Sequence, residues 1–305
     1  MTIQRRTVAG DRRERRRVAL KLAPLLVFFA LTVGLGLVHG LLQSLSLAGP
    51  SLFARRRGDM GVLYAYRELL TRPEFLASLL HSLFVSGVSA VISVAFGAVA
   101  AYLLWRGPRW FSAAASVYRL PIILPHIVVA FLTVLFWSRS GVIASVFYAL
   151  NIDVGEPGFP PLLFSRNGVG MILAYIYKEF PFVMLLTLGV LQRVPERMVT
   201  TARMLGAGPV RVFFKVVLPL ILPILNQTFI ILFLFALGGF DIPWLLGASN
   251  PQMIPMTVYS LYFQGQLTDR PIAMAALTLL AATAVVFVLL YSRLARRFSS
   301  WERPL

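Results

Sequence analysis

Five polar residues interrupt the apolar stretches of this sequence and are its strongest candidates for chemistry. Lys178 and Glu179 are neighbours in one such stretch, Asn226 and Gln227 lie in another, and Asp241 follows near the end of the latter. A charged side chain at the centre of a bilayer costs about 2.5–3.5 kcal/mol on insertion scales, so these residues should face protein or water. They either line a route for a polar solute or make pairs and hydrogen bonds between helices.

The two neighbouring charges do not simply neutralise each other, because adjacent helical residues point about 100° apart. In one interpretation Glu179 lines a translocation route while Lys178 pairs elsewhere, and in the other both are structural pairs between helices. Asp241 either meets a cationic solute or a binding protein, or it caps a helix. Asn226 and Gln227 favour hydrogen bonding between helices, with one of them facing a pore as the alternative.

No catalytic or metal-binding constellation is found in the sequence. It has no Gly-x4-Gly-Lys-Ser/Thr phosphate loop, no His-Glu-x-x-His and no Gly-x-Ser-x-Gly. It contains no cysteine, and His39, His81 and His126 have no metal-ligand spacing. We therefore expect no enzymatic activity, no cofactor and no metal, and we assign the three histidines to helix packing or the membrane interface.

Composition assigns the chain to the integral membrane proteins. Of its 305 residues, 58% are hydrophobic and only 13% are charged, with a mean hydropathy of +0.78. A helix crosses the hydrocarbon core with about 20 apolar residues. Six stretches meet that requirement and predict an all-α protein with six transmembrane helices, at residues 22–44, 76–104, 112–137, 168–191, 217–246 and 272–292.

The net charge of +17 follows from membrane topology rather than from nucleic-acid binding. With the N-terminus inside, 20 of the 29 Lys and Arg residues fall on the inner side and eight on the outer side. The positive-inside rule then predicts that both termini are cytoplasmic. The first apolar stretch is longer than the 7–15 residues of a usual signal peptide, so we interpret it as a retained helix.

The chain divides into three parts on this basis. Residues 1–21 form a basic cytoplasmic segment, residues 22–295 the transmembrane domain, and residues 296–305 a cytoplasmic tail. Pro121 and Pro125 should bend the third span. The apolar stretch 141–150 is too short to cross the membrane and predicts a surface helix.

The inner loop at residues 193–216 has the pattern of two helices joined by a turn. Pro195 suits the first position of a helix, and Glu196 is favourable in its first turn. Helical spacing places Met198, Ala202 and Leu205 on one face, and Gly206 ends the helix. A second helix begins near Pro209 and enters the membrane. On these grounds alone, the loop is also compatible with an interfacial anchor for the two flanking spans.

This loop resembles the EAA motif of binding-protein-dependent ABC importer permeases, Glu-Ala-Ala-x3-Gly-x9-Ile-x-Leu-Pro. The matching positions are Thr200, Thr201, Ala202, Gly206, Val216, Val217, Leu218 and Pro219. The spacing from the glycine to the Leu-Pro pair is kept. Thr200 replaces the family glutamate and Thr201 replaces an alanine, which removes one possible charged contact to the ATPase.

The resemblance covers about residues 65–295 and implies a MetI-like permease fold in the bacterial inner membrane. It implies that residues 196–208 are a coupling helix that docks on a separate ATPase subunit. The implied coupling residues are Glu196, Thr200, Thr201, Ala202, Gly206, Ala207, Leu218 and Pro219. The implied partners are ABC ATPase subunits, an identical or related second permease, an extracytoplasmic solute-binding protein and the lipid bilayer, with no nucleic acid.

Two segments, 239–247 and 269–275, look most like permeases for polyamines and related small cationic or metal-ion ligands. Sugar permeases share the same body plan and remain an alternative. A second alternative is an ion-coupled carrier that uses Glu179 and Lys178. Inverted repeats would favour such a carrier, and the sequence shows none.

Overall fold

The computed structural model describes residues 8–107, 115–152 and 159–299, and the elements in these ranges are helical. The first half contains α1 (Val8–Phe29), a π-helical turn (Ala30–Gly34), α2 (Leu35–Ser44), α3 (Ser51–Met60), α4 (Tyr64–Thr71), α5 (Pro73–Arg106), α6 (Ala115–Ile123), α7 (His126–Trp137) and α8 (Val142–Ala149). The second half contains α9 (Val169–Leu191), α10 (Glu196–Met204), α11 (Pro209–Val212), a π-helical turn (Phe213–Val217), α12 (Leu218–Gly238), α13 (Asp241–Leu246), α14 (Ile254–Tyr259), a π-helical turn (Ser260–Gln264), a 3₁₀ turn (Leu267–Asp269) and α15 (Arg270–Ser299).

Six helical stretches in the described part of the chain are long and apolar enough to cross a membrane, as the sequence predicted. They are Val18–Ser44, Pro73–Arg106, His126–Ala149, Val169–Leu191, Pro209–Gly238 and Leu267–Ala295. The third stretch, 126–149, joins α7 to α8 across the non-helical residues 138–141 and does not include α6. The predicted third span, 112–137, begins outside the described residues and comprises α6 and α7, which we call the third span. One predicted boundary was wrong. The fifth ends at Gly238 rather than 246, because the backbone is extended at Gly239 and a separate helix, α13, follows.

The core of the bundle is the packing of α5 against α9. The buried surface of α5, on which both α9 and α12 pack, is built largely from small residues, namely Ser78, Ser82, Ser86, Ser89, Ala90, Ser93, Gly97, Ala98 and Ala101. Small side chains let two helix backbones approach closely, which is the main source of helix association in lipid. At Gly97 the approach is closest, since a Cβ there would clash with Val183 and lie 2.8 Å from the Phe180 carbonyl oxygen.

The other helices are arranged around this pair. Helix α12 packs on both α5 and α9, and α13 packs on α7. Helix α15 packs on α2, α4 and α14. The most apolar stretch of the first span has no buried residue. This span is therefore attached to the bundle mainly through its outer half, α2, which packs on α15.

The third span is broken at its two prolines, as predicted. Helix α6 ends at Ile123, and α7 begins at His126 after the extended residue Pro125. Proline has no N–H, so Pro125 does not donate to the carbonyl of Pro121 one turn earlier. The segment 141–150 is helical as predicted, with α8 at Val142–Ala149.

The close contact of α5 and α9 makes a testable prediction. Gly97→Ala should lower the melting temperature in detergent, by about 1–3 kcal/mol of stability, because the added Cβ meets a backbone oxygen that does not move easily. Gly87→Ala in the same helix is the matched control, since nothing lies within 4 Å of its added Cβ. Equal melting temperatures for the two variants would show that the two helices are not packed at this distance.

Candidate coupling surface and polar pathway

The inner loop forms two short helices that α9 and α12 hold at their membrane ends. Helix α9 ends at Leu191, and four residues separate it from α10. Pro195 is extended and precedes Glu196, the first residue of α10, so the helix starts one position later than predicted. Helix α11 starts at Pro209 and continues through a π-helical turn into α12, as the sequence predicted.

The turn between α10 and α11 depends on the conformation of Gly206. Gly206 has φ of +80°, which L residues with a side chain adopt only with strain. Its N–H donates to the Arg203 carbonyl at 2.9 Å, and the Ala207 N–H donates to the Ala202 carbonyl at 3.0 Å. This pair of bonds is a Schellman motif, which ends α10 and satisfies its last carbonyls.

The loop turns its apolar tip away from the rest of the bundle. Val199 is 2% exposed and anchors α10 to the body of the protein, whereas Met204 and Leu205 are each 83% exposed. Met198, Ala202 and Leu205 line one cavity together, in agreement with the predicted shared face, and the Leu205 N–H still donates to the Thr201 carbonyl at 3.1 Å. An exposed apolar pair at a loop tip is typical of a contact surface.

Four of the eight motif positions, Thr201, Ala202, Val216 and Pro219, line one open cavity beside this tip. Thr200, Thr201 and Gly206 are exposed, while Ala202, Ala207, Leu218 and Pro219 are half-buried. The cavity measures about 660 Å³, and its lining consists of Arg197, Met198, Thr201, Ala202, Leu205, Lys215, Val216, Pro219 and Leu220. The side chain of Glu196 lies outside the described residues. The cavity thus combines an apolar floor with two basic residues at its rim.

Lys178 binds the broken end of the third span. Its ammonium donates to the carbonyls of Pro121 at 2.7 Å, of Ile122 at 2.9 Å, and of Leu124. An ammonium has three N–H donors, and a helix C-terminus carries a partial negative charge, so the site suits a lysine. The structure therefore gives Lys178 a partner on the neighbouring span, while a role in the pathway stays a prediction.

Glu179 is buried between α5 and α9, with an exposed fraction of 3%. Its Oε2 lies 3.5 Å from the Ser93 hydroxyl, at the outer limit of a hydrogen bond, and Oε1 has no partner within the described ranges. Lys178 and Glu179 do not pair with each other among the described ion pairs. A wide route does not pass Glu179 in this conformation, so its predicted role there stays a prediction.

Asn226 and Gln227 have different surroundings. Asn226 is half-buried, and its Oδ1 accepts a hydrogen bond from the Tyr291 hydroxyl at 2.8 Å, which joins the fifth and sixth spans. Gln227 is exposed on the surface of α12. The preferred interpretation of hydrogen bonding between helices therefore fits Asn226, and Gln227 is the polar residue that the bundle leaves uncovered.

Asp241 lies in the first turn of α13 and lines a small, mainly apolar cavity of about 120 Å³. The cavity lies between α7, α9 and the α12–α13 junction, and its lining consists of His126, Tyr175, Phe235, Gly239, Phe240, Asp241 and Ile242. His126 is within electrostatic range of both Asp241 and Lys178. The Tyr175 hydroxyl donates to the Ala236 carbonyl at 3.3 Å, and a Cβ at Gly239 would clash with that hydroxyl.

Sequence reasoning missed two members of this cavity. His126 was assigned to packing or the interface, and Tyr175 was treated as one aromatic residue among several. The sequence did contain a signal that His126 lines a cavity, because His126 directly follows Pro125. A helix that begins within a span exposes its first polar residue at the break.

Comparisons with known proteins place these features in a family. Residues 93–300 match the model of the binding-protein-dependent transport system inner membrane component. The chain belongs to this family. It is 32% identical over 197 residues to the molybdenum transport permease ModB of Escherichia coli K12, covering 63% of this chain and 82% of ModB. It is 29% identical over 188 residues to the maltose/maltodextrin permease MalF of the same organism, covering 60% of this chain.

The aligned part spans only 35% of MalF. Among solved structures, a chain of a bacterial alginate ABC transporter, in complex with a periplasmic protein bound to an alginate pentasaccharide, superposes with a TM-score of 0.77. The superposition has 20% sequence identity and covers 96% of this chain and 98% of that one. The predicted MetI-like fold is confirmed, and the chain is a multi-pass inner membrane permease component rather than an enzyme. These relatives give no support to the polyamine preference.

The contact between the fifth and sixth spans makes a second prediction. Tyr291→Phe and Asn226→Leu should each lower stability modestly, and their double variant should show a coupling of about 0.6 kcal/mol, the average for hydrogen bonds between helices in a membrane. Thermal unfolding of the four proteins in one detergent measures the cycle. Additive effects would show that the two side chains do not interact.

Proposed function

We propose that this chain is the transmembrane permease subunit of an ATP-driven importer and that a separate ATPase subunit docks on the α10–α11 loop. The observation that most strongly supports this proposal is the exposed apolar tip, Met204 and Leu205, beside a cavity of about 660 Å³. The tip is connected to α9 on one side and to α12 on the other. A displacement of the tip therefore acts directly on the fourth and fifth spans. Family membership supports the same assignment.

The charge of this surface fits an acidic partner surface. Arg197, Arg203, Arg211 and Lys215 are exposed around the tip. Opposite charges at the rim of an interface guide association and register, while the apolar centre supplies most of the affinity. We propose that Met204 and Leu205 enter a groove of the ATPase and that the basic residues surround the contact. Thr200 lies exposed on α10, where the family motif has its acidic residue.

The orientation in the membrane follows from this assignment. The loop must lie in the cytoplasm, where ATP is available, and six crossings then place both termini on the same side. The distribution of basic residues supports that topology. Solute enters from the opposite side, which we propose is served by an extracytoplasmic binding protein.

A second permease subunit is part of the proposal because Gln227 is uncovered in this chain. A polar amide in a transmembrane helix favours contact with protein or with a water-filled route over lipid. We propose that α12 faces an identical or related permease across the translocation route. The cavity lined by His126 and Asp241 then opens towards that route, with Asp241 as its exposed charge.

For the substrate we propose a small cationic solute, supported by the exposed carboxylate of Asp241 in a cavity of about 120 Å³. A carbohydrate is the second candidate, because MalF is a maltodextrin permease and the alginate transporter was solved with a saccharide-bound periplasmic protein. Competition between a panel of both solute classes for uptake in the host distinguishes the two. The ion-coupled carrier has no separate support, since Lys178 is bound to backbone carbonyls rather than to Glu179.

The docking proposal is tested by co-purification. The tagged chain should recover an ATPase with a phosphate loop from its host in mild detergent, and mass spectrometry identifies it. Leu205→Asp should abolish the recovery, because a charge in the apolar contact is left without a partner. Leu267→Asp is the control, since Leu267 is also exposed, at 50%, but lies at the opposite membrane face. Equal recovery with both variants would contradict docking at the tip.

The turn geometry gives an independent prediction. Gly206→Ala should reduce ATP-dependent uptake while leaving the amount of folded protein unchanged, because a side chain at φ of +80° costs about 1–2 kcal/mol and α10 shifts to relieve it. Gly208→Ala is the control in the same turn. It has φ of −67°, and neither glycine has an atom within 4 Å of its added Cβ. Unchanged uptake in Gly206→Ala would remove the turn from the coupling mechanism.

A further inference from the structure

We propose that Lys178 is a positioning residue and acts as a latch that fixes the inner half of the third span, α6, to α9. Movements of the coupling loop then reach α6. A hinge at Leu124–Pro125 allows the outer half, α7, to keep its position. This inference rests on the proposed function, because it assigns a route to motion that starts at the ATPase.

The first step concerns the backbone carbonyl groups at the broken end of α6, which need hydrogen-bond donors. Pro125 provides no N–H for the Pro121 carbonyl, and the chain turns before the next donors reach the Ile122 and Leu124 carbonyls. Unpaired carbonyls in a bilayer cost several kcal/mol each, so the break requires donors from elsewhere. Lys178 supplies all three of its N–H groups to these three carbonyls. The break is therefore stable only while α9 stays in place beside it.

The second step is that the two halves of the span have different neighbours. The inner half, α6, packs principally on α9, the helix that carries Lys178. The outer half, α7, packs on α13 as well as on α9. Helix α13 carries Asp241 and follows the end of the fifth span. A rotation of α9 relative to α13 thus pulls the two halves in different directions, and the extended residue Pro125 lies between them.

The third step is the connection to the loop. Helix α9 continues from Lys178 to Leu191, and only residues 192–195 separate it from α10. A displacement of α10 therefore passes into α9, and the three bonds of Lys178 pass it on to α6. The inner half-helix thus moves with the ATPase side of the protein.

The chain has no cysteine, so two introduced cysteines can report the angle at the break. Leu120 in α6 and Leu135 in α7 are 51% and 57% exposed and lie on the two sides of the hinge. We would attach spin labels to Leu120→Cys and Leu135→Cys in the complex purified from its host. Electron–electron double resonance then measures the distance with no nucleotide and after trapping with magnesium, ATP and vanadate. The complex without introduced cysteines gives the background of the partner subunits.

With Lys178 present we expect one narrow distance distribution in each state and a shift between the states. Lys178→Met keeps the length of the side chain and removes all donors, so we expect a broad distribution in both states. Basal ATP hydrolysis should rise about 2- to 30-fold, because the loops close without moving α6. This factor corresponds to the coupling change of about 0.5–2 kcal/mol that mutations along coupling networks produce. Tyr291→Phe removes one hydrogen bond, between the fifth and sixth spans, and should change neither the distance distribution nor the rate of ATP hydrolysis.

An unchanged distance between the two nucleotide states would overturn the hinge, and a narrow distribution in Lys178→Met would overturn the latch. If Lys178→Met is not recovered as folded protein, Lys178→Gln keeps two donors and is measured in the same way. Failure of any ATPase to co-purify would contradict the proposed function instead. The width of the distribution in the permease alone would still decide whether Lys178 holds the two halves together.

Discussion

The structure depends on the rule that backbone polar groups in a bilayer must find partners within the protein, since no water is present to replace them. Five of the six candidate spans satisfy the rule mainly by their own helical bonds. The third span does not, because α6 ends at Ile123 and Pro125 has no N–H for the Pro121 carbonyl. Lys178 on the fourth span donates instead to the carbonyls of Pro121, Ile122 and Leu124. The most conspicuous charge in the sequence is thus tied to a defect in a neighbouring helix.

The close packing of α5 and α9 makes this arrangement possible. Small residues along α5 bring α9 close to it, and Gly97 is the point of closest approach. With α9 fixed on one side, its inner end and its middle connect to two other parts of the chain. Its inner end leads into the loop with the exposed Leu205, and its middle carries the lysine that binds the third span. The inner loop and the broken span are therefore both attached to α9.

The polar residues of the spans separate into those that stabilise the bundle and those that remain available. Asn226 is bound to Tyr291 and serves the packing of two helices. Gln227, its neighbour, faces outward, and Asp241 opens a cavity beside His126. Adjacent residues thus have different roles, because a helix turns about 100° per residue. Only the uncovered members of the set are available to a solute or to a second permease.

The sequence by itself determined the number of spans, the break at the two prolines and the two-helix form of the inner loop, because each depends on local properties: length, the missing N–H of proline, and Gly206 and Pro209 between the two helices. The tertiary structure decided which side of each residue is covered. Transmembrane helices are apolar on all sides, so hydrophobic periodicity does not reveal the face that packs. For this reason the partners of Lys178, the burial of Glu179 and the cavity at Asp241 became visible only in the folded bundle.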